Sequence, residues 1–111
     1  MMKKLFAMLP LALALTAFRV PEKPAAGPDI PSDIQALLEK HGCTACHAMS
    51  KKLVGPMWTD IAAKKYSAKK IVALIKKPEP SNWPGYAPMT PQPTVPSKDL
   101  NKIASWLVAV K

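Results

Sequence analysis

The sequence predicts an all-α domain of short helices packed around something other than protein, and three observations carry that expectation. Apolar residues recur at helical spacing in four separate stretches, 34–38, 58–62, 71–75 and 100–110, and none of the chain reads as a strand. Seven of the thirteen prolines fall between residues 78 and 96, where neither a helix nor an interior strand is expected. With only 111 residues the chain buries a limited apolar core by itself, so a further component is needed at its centre.

Residues 1–17 read as a secretory signal peptide. Lys3 and Lys4 form a positive start, residues 5–16 an apolar run, and Ala12, Ala14 and Ala17 supply the small residues of a cleavage site, with the cut taken after Ala17. A spanning helix needs roughly 20 apolar residues, more than this run offers, and no nearby cysteine provides a lipid anchor. The expected product is therefore exported and periplasmic, without stable membrane insertion. Residues 18–31, rich in proline and alanine, read as an N-terminal extension with no core of its own.

Residues 32–111 form the expected domain. Its first helix opens at Ser32, an N-cap with Gln35 completing a capping box, buries Ile34, Leu37 and Leu38, and stops at Gly42. A second helix follows Pro56 and carries Trp58, Ile61 and Ala62, with Tyr66 at its far end. A third covers 67–77, with Ile71, Val72, Leu74 and Ile75 on its apolar face and Pro78 as its stop. After the proline-rich loop, a last helix runs from Ser97 to the end of the chain, with Leu100, Ile103, Ala104, Trp106, Leu107 and Val110 on one broad face.

The two cysteines are the only ones, and Cys43-Thr44-Ala45-Cys46-His47 is the C-x-x-C-H pattern of covalent haem attachment. Two intervening residues let both thiols reach the two vinyl groups on one edge of a porphyrin, and the next residue then offers its imidazole to the iron. A Cys43–Cys46 disulfide of thioredoxin type would need a βαβ surround. A zinc shell of His41, Cys43, Cys46 and His47 would crowd four ligands into seven residues. Haem attachment is the favoured reading, with His47 as one axial ligand.

The opposite axial position has Met57, Met89, His41 or nothing to fill it, since Met49 is too close to His47 in the chain to reach the other face. Met89 is favoured. A thioether is a weak ligand for ferric iron, and Pro84, Pro88, Pro91 and Pro93 reduce the conformational entropy that its loop would lose on ligation.

These residues resemble the short bacterial class I cytochromes c, the periplasmic carriers of respiratory chains. The resemblance covers about 34–111 and rests on Gly42 to His47, then Val54-Gly55-Pro56-Met57-Trp58 leading into Asp60 to Lys64, then Trp83, Gly85 and Pro88-Met89, and the final helix. It implies an all-α fold in which N- and C-terminal helices cross with one haem c between the elements. By position, it implies that the Pro56 carbonyl accepts a hydrogen bond from the His47 ring and that Trp83 lies near a haem propionate.

With both axial positions filled, the expected function is single-electron transfer between respiratory redox proteins, not catalysis. The alternatives are a haem c enzyme or sensor with an open sixth iron site, and a fixed electron-accepting subunit of a periplasmic dehydrogenase. The net charge is +9, and about +7 once Lys3 and Lys4 are removed. Export argues against nucleic acid as the partner, so acidic docking surfaces on periplasmic redox proteins are expected to meet a monomer. Lysines 51, 52, 64, 65, 69, 70, 76 and 77 supply both the solvated faces of the helices and the positive surface.

Overall fold

The computed structural model describes residues 29–111, so the signal peptide expected at 1–17 and nearly all of the 18–31 extension lie outside the described residues. Four α-helices follow in order, α1 (Ser32–Lys40), α2 (Trp58–Ala63), α3 (Ala68–Lys76) and α4 (Ser97–Ala109), with no strand among the described residues. Single 3₁₀ turns form at Cys43–Ala45 and Pro80–Asn82. No helix among the described residues is long and apolar enough to cross a membrane.

The hub is α4, against which α1, α2 and α3 all pack. It buries Leu100, Ile103, Ala104 and Leu107, and Val110 just beyond its end, because these residues recur at the helical period on one side. From α1 come Ile34 and Leu38, from α2 Trp58 and from α3 Ile71, closing one core. Leu38 of α1 and Leu100 and Leu107 of α4 are fully buried.

The helix ends show where local signals held and where they did not. Ser67 caps α3 as a serine should, its hydroxyl accepting from the Lys70 N–H at 3.1 Å. The capping box expected at Ser32 and Gln35 does not form. The helix begins one residue earlier, with Pro31 at the cap and its carbonyl accepting from the Gln35 N–H, and the Gln35 amide donates instead to Glu39. Helix α2 is shorter than expected and excludes Tyr66: Lys65 takes a left-handed conformation at φ 58°, which ends the helix as a glycine commonly would. The proline-rich loop holds one helical turn that was not expected, Pro80–Asn82, where proline at the start loses no hydrogen bond because that N–H has no partner in any case.

A second lock joins the ends of the domain. His41, immediately after α1, donates from Nε2 to Asp99 Oδ2 in the first turn of α4 at 2.9 Å, with Lys40 Nζ at 4.0 Å from the same oxygen. The hydrogen bond from His41, with Lys40 adding to it, holds the Asp99 carboxyl below its usual range.

Candidate haem-binding site

A cleft of about 420 Å³ opens between the turn after α1, α3 and the proline-rich loop. All six residues singled out from the sequence, Cys43, Cys46, His47, Pro56, Trp83 and Met89, line it. The two largest exposed apolar side chains inside it, Val54 at 59% and Met89 at 37%, make its mouth a surface that calls for an apolar occupant.

The first wall is built by the motif. Gly42 takes φ +72° to reverse the chain after α1, a conformation that favours glycine. The 3₁₀ turn then coils the next residues tightly, the N–H groups of Cys46 and His47 both bonding back to the Cys43 carbonyl at 3.3 and 3.1 Å. This winding sets both thiols and the imidazole on one wall. Cys43 and Cys46 are partly buried free thiols, so the disulfide reading is not realised. Burial pushes the Cys43 thiol above its usual range, with Cys46 beside it adding to the shift. Among the described residues no three His, Cys, Asp or Glu side chains converge as metal ligands, and with His41 bonded to Asp99 the zinc reading has no geometry either.

His47 is only 8% exposed and its ring orientation is determined by its neighbours. Nδ1–H donates to the Pro56 carbonyl at 2.7 Å, which leaves Nε2 as the lone-pair nitrogen. Burial pushes the His47 pKa down against the opposing pull of that hydrogen bond, so the ring stays neutral, the form in which an imidazole ligates a metal. Gly55 makes the close approach possible. A Cβ there would lie 2.7 Å from His47 Cε1 and 3.1 Å from the Cys46 carbonyl oxygen. Trp58 backs the imidazole with ring centroids 4.5 Å apart and itself meets Trp106 edge-on at 5.7 Å. Its Nε1–H is buried with no hydrogen-bond partner.

A second part of the lining comes from the loop. Trp83, Pro84, Gly85 and Tyr86 form a turn closed by the Tyr86 N–H and Trp83 carbonyl at 3.2 Å, with Gly85 at φ +88° where a type II turn needs glycine. Met89 follows three residues later. The Gln92 N–H bonds the Ile75 carbonyl at 3.0 Å and Val95 is buried, so the loop is tied to α3 and to the core beyond Met89. Among methionines of the described residues only Met89 lines the cleft. Met49 packs against the core and its carbonyl accepts from Thr59 Oγ1.

Neutral imidazole, paired thiols and an apolar cleft that a methionine also lines form a donor set that fits a haem. Sequence reasoning assigned no role to two glycines and missed one long-range pair. Gly55 had a visible signal in its place beside Pro56, and Gly85 one in the Pro84-Gly85 pair. The pairing of His41 with Asp99, 58 residues apart, had none.

No family model matches the chain. Individual relatives do. The chain is 38% identical over 82 residues to a cytochrome c-551 of Pseudomonas denitrificans, covering 69% of this chain and 96% of that one. It is 32% identical over 102 residues to a cytochrome c-551 of Allochromatium vinosum, covering 88% of this chain and all of the other. The crystal structure of wild-type Nitrosomonas europaea cytochrome c552 superposes with a TM-score of 0.63 at 35% identity, over 69% of this chain and 99% of that one. Geometry and relatedness agree, and the chain belongs to the small class I cytochromes c, electron carriers with one covalently attached haem c.

Proposed function

We propose that this chain shuttles single electrons between periplasmic respiratory redox proteins, with the haem held by Cys43 and Cys46 and its iron ligated by His47 and Met89. The observation that carries the reading is that His47 and Met89, 42 residues apart in the chain, both line one apolar cleft. Haem c supplies a one-electron ferric and ferrous couple. The residues of the chain decide what that couple can be used for. Cys43 and Cys46 would tether the group as thioethers, and the Pro56 carbonyl holds the His47 Nδ1 proton, which leaves the Nε2 lone pair to ligate iron. Met89 would supply the second protein ligand, leaving no site for a substrate, and its soft sulfur would favour the ferrous state and raise the potential. Trp83, in the cleft wall, is placed to donate its indole N–H to a propionate.

On this reading residues 1–17 are a cleaved signal peptide and 18–31 an extension, and the domain, 32–111, is exported to the periplasm. The positive surface, with Lys51, Lys69, Lys70, Lys76 and Lys77 all exposed, suits brief encounters between a monomer and acidic docking faces. Transfer rates should fall as salt is added. The decisive test compares reduced-minus-oxidised spectra of the parent and Met89→Ala. The parent should show the weak far-red absorption that sulfur ligation gives the oxidised protein and should bind carbon monoxide poorly when reduced. The variant should lose the first and gain the second. A parent that binds carbon monoxide readily would establish an open-site enzyme or sensor in its place.

A further inference from the structure

The loop that bears Met89 is tied to the rest of the molecule by an alternating row of cations and rings across the mouth of the cleft. Lys64, the residue capping the C-terminus of α2, places Nζ 4.6 Å from the centre of the Trp83 ring and donates to the Asn82 carbonyl at 3.2 Å. Trp83 meets Tyr86 edge to face, with centroids 6.0 Å apart and planes at 86°. Lys52 Nζ lies 4.6 Å over the Tyr86 ring. The two lysines come from outside the loop. Lys52 sits in the segment between His47 and Gly55, which is closed by the Gly55 N–H and Cys46 carbonyl at 2.8 Å, and Lys64 ends the helix that Trp58 anchors in the core. Asn82, Trp83, Tyr86 and Met89 all line the cleft.

We propose that Lys64 and Lys52 form a two-point latch that holds the Met89 loop closed and so sets how readily the methionine gives up its position. This deepens the ligand reading above and rests on it. Both lysines are positioning residues that act through Trp83 and Tyr86. The physical case is one of direction. The face of an aromatic ring attracts a cation, and the ring edge of one residue against the face of the next couples the two contacts. Lys64 adds a hydrogen bond to the backbone of the same segment, so one side chain grips the loop twice. The prolines limit the shapes the loop can take, but they do not attach it to anything. Attachment falls to these lysines, to the Gln92 and Ile75 backbone pair, and to Lys70 reaching Glu79 at 3.7 Å before the turn.

The test measures binding of added imidazole to the oxidised holoprotein, which competes with the methionine, together with the far-red sulfur absorption. Each cation–aromatic contact at an exposed site corresponds to about a twofold to fivefold change in such an equilibrium. Lys64→Gln, losing the cation over the ring, should bind imidazole about twofold to fivefold more tightly than the parent. Lys64→Arg should stay near the parent, because a guanidinium keeps the cation over the ring and a donor for the Asn82 carbonyl. Lys69→Gln, which removes the same charge from the exposed surface of α3, should also leave the affinity near the parental value. The latch is overturned if Lys64→Gln binds imidazole with parental affinity while the parent shows the sulfur absorption, or if Lys69→Gln tightens binding equally. A parent with no sulfur absorption overturns the Met89 reading and the latch with it.

Discussion

The two parts of the cleft lining, one carrying His47 and the other Met89, are held in different ways. The wall that carries His47 is set by buried contacts: a 2.7 Å hydrogen bond to the Pro56 carbonyl, a glycine that leaves no room for a methyl group, and the ring of Trp58 behind the imidazole. The wall that carries Met89 is exposed, and what orders it is proline, one type II turn and cations over rings. Burial makes a polar contact costly to lose and hence rigid. Contacts at the surface are worth less and open more easily. On the proposed reading, one ligand is therefore built in and the other is on a part that opens more easily.

The largest effect should come from removing what joins the two walls. A Cys43→Ala, Cys46→Ala variant without haem should show no cooperative thermal unfolding, since a domain this small has only the core around α4 to sustain it. A sharp calorimetric transition in that variant would show the two walls to be independent of the cofactor.

Next is the rigid wall alone. Gly55→Ala should destabilise the holoprotein by about 1–3 kcal/mol, because the new methyl can be accommodated only if the His47 ring or the Cys46 backbone shifts. Chemical denaturation measures this, and the accompanying change in the haem spectrum separates a displaced imidazole from general loosening. On the movable wall, Pro88→Ala should cost only about 0.4–1 kcal/mol, through the greater freedom it gives the unfolded chain. If it cost more than Gly55→Ala, the contrast between the walls would be reversed.

The smallest effect concerns the lock that supports the motif from outside. Because Asp99 has its carboxyl held below the usual range by His41, its contribution to stability is present above the unfolded value, near pH 4, and is lost as the pH falls through the folded value. Asp99→Asn should therefore be less stable than the parent at neutral pH, with the difference shrinking only in acid. Acid titrations followed by circular dichroism on both proteins would show it, and a gap unchanged at low pH would refute the role of the charge.

Much of the site was legible along the chain because its parts are local. Cys43, Cys46 and His47 are spaced by the porphyrin they serve, and Met89 is marked by its prolines. The helix faces of α3 and α4 were equally plain, since burial at the helical period leaves its mark on the sequence. Signals that depend on one residue fared worse. Ser32 had the composition of a capping box without forming one, and Lys65 ended α2 in a conformation that its side chain does not advertise.

By itself the sequence determined the helical class and the kind of cofactor, because each is a matter of residue type and short spacing. Only the tertiary structure decided which distant residues support them: His41 on Asp99, Lys64 on Trp83, Lys52 on Tyr86, and Gly55 against the His47 ring. The physical reason is that such contacts join segments whose separation in the chain carries no information about their approach. The packing of α1, α2 and α3 on α4 brings those segments together, and pairwise attraction then sorts out which side chains meet.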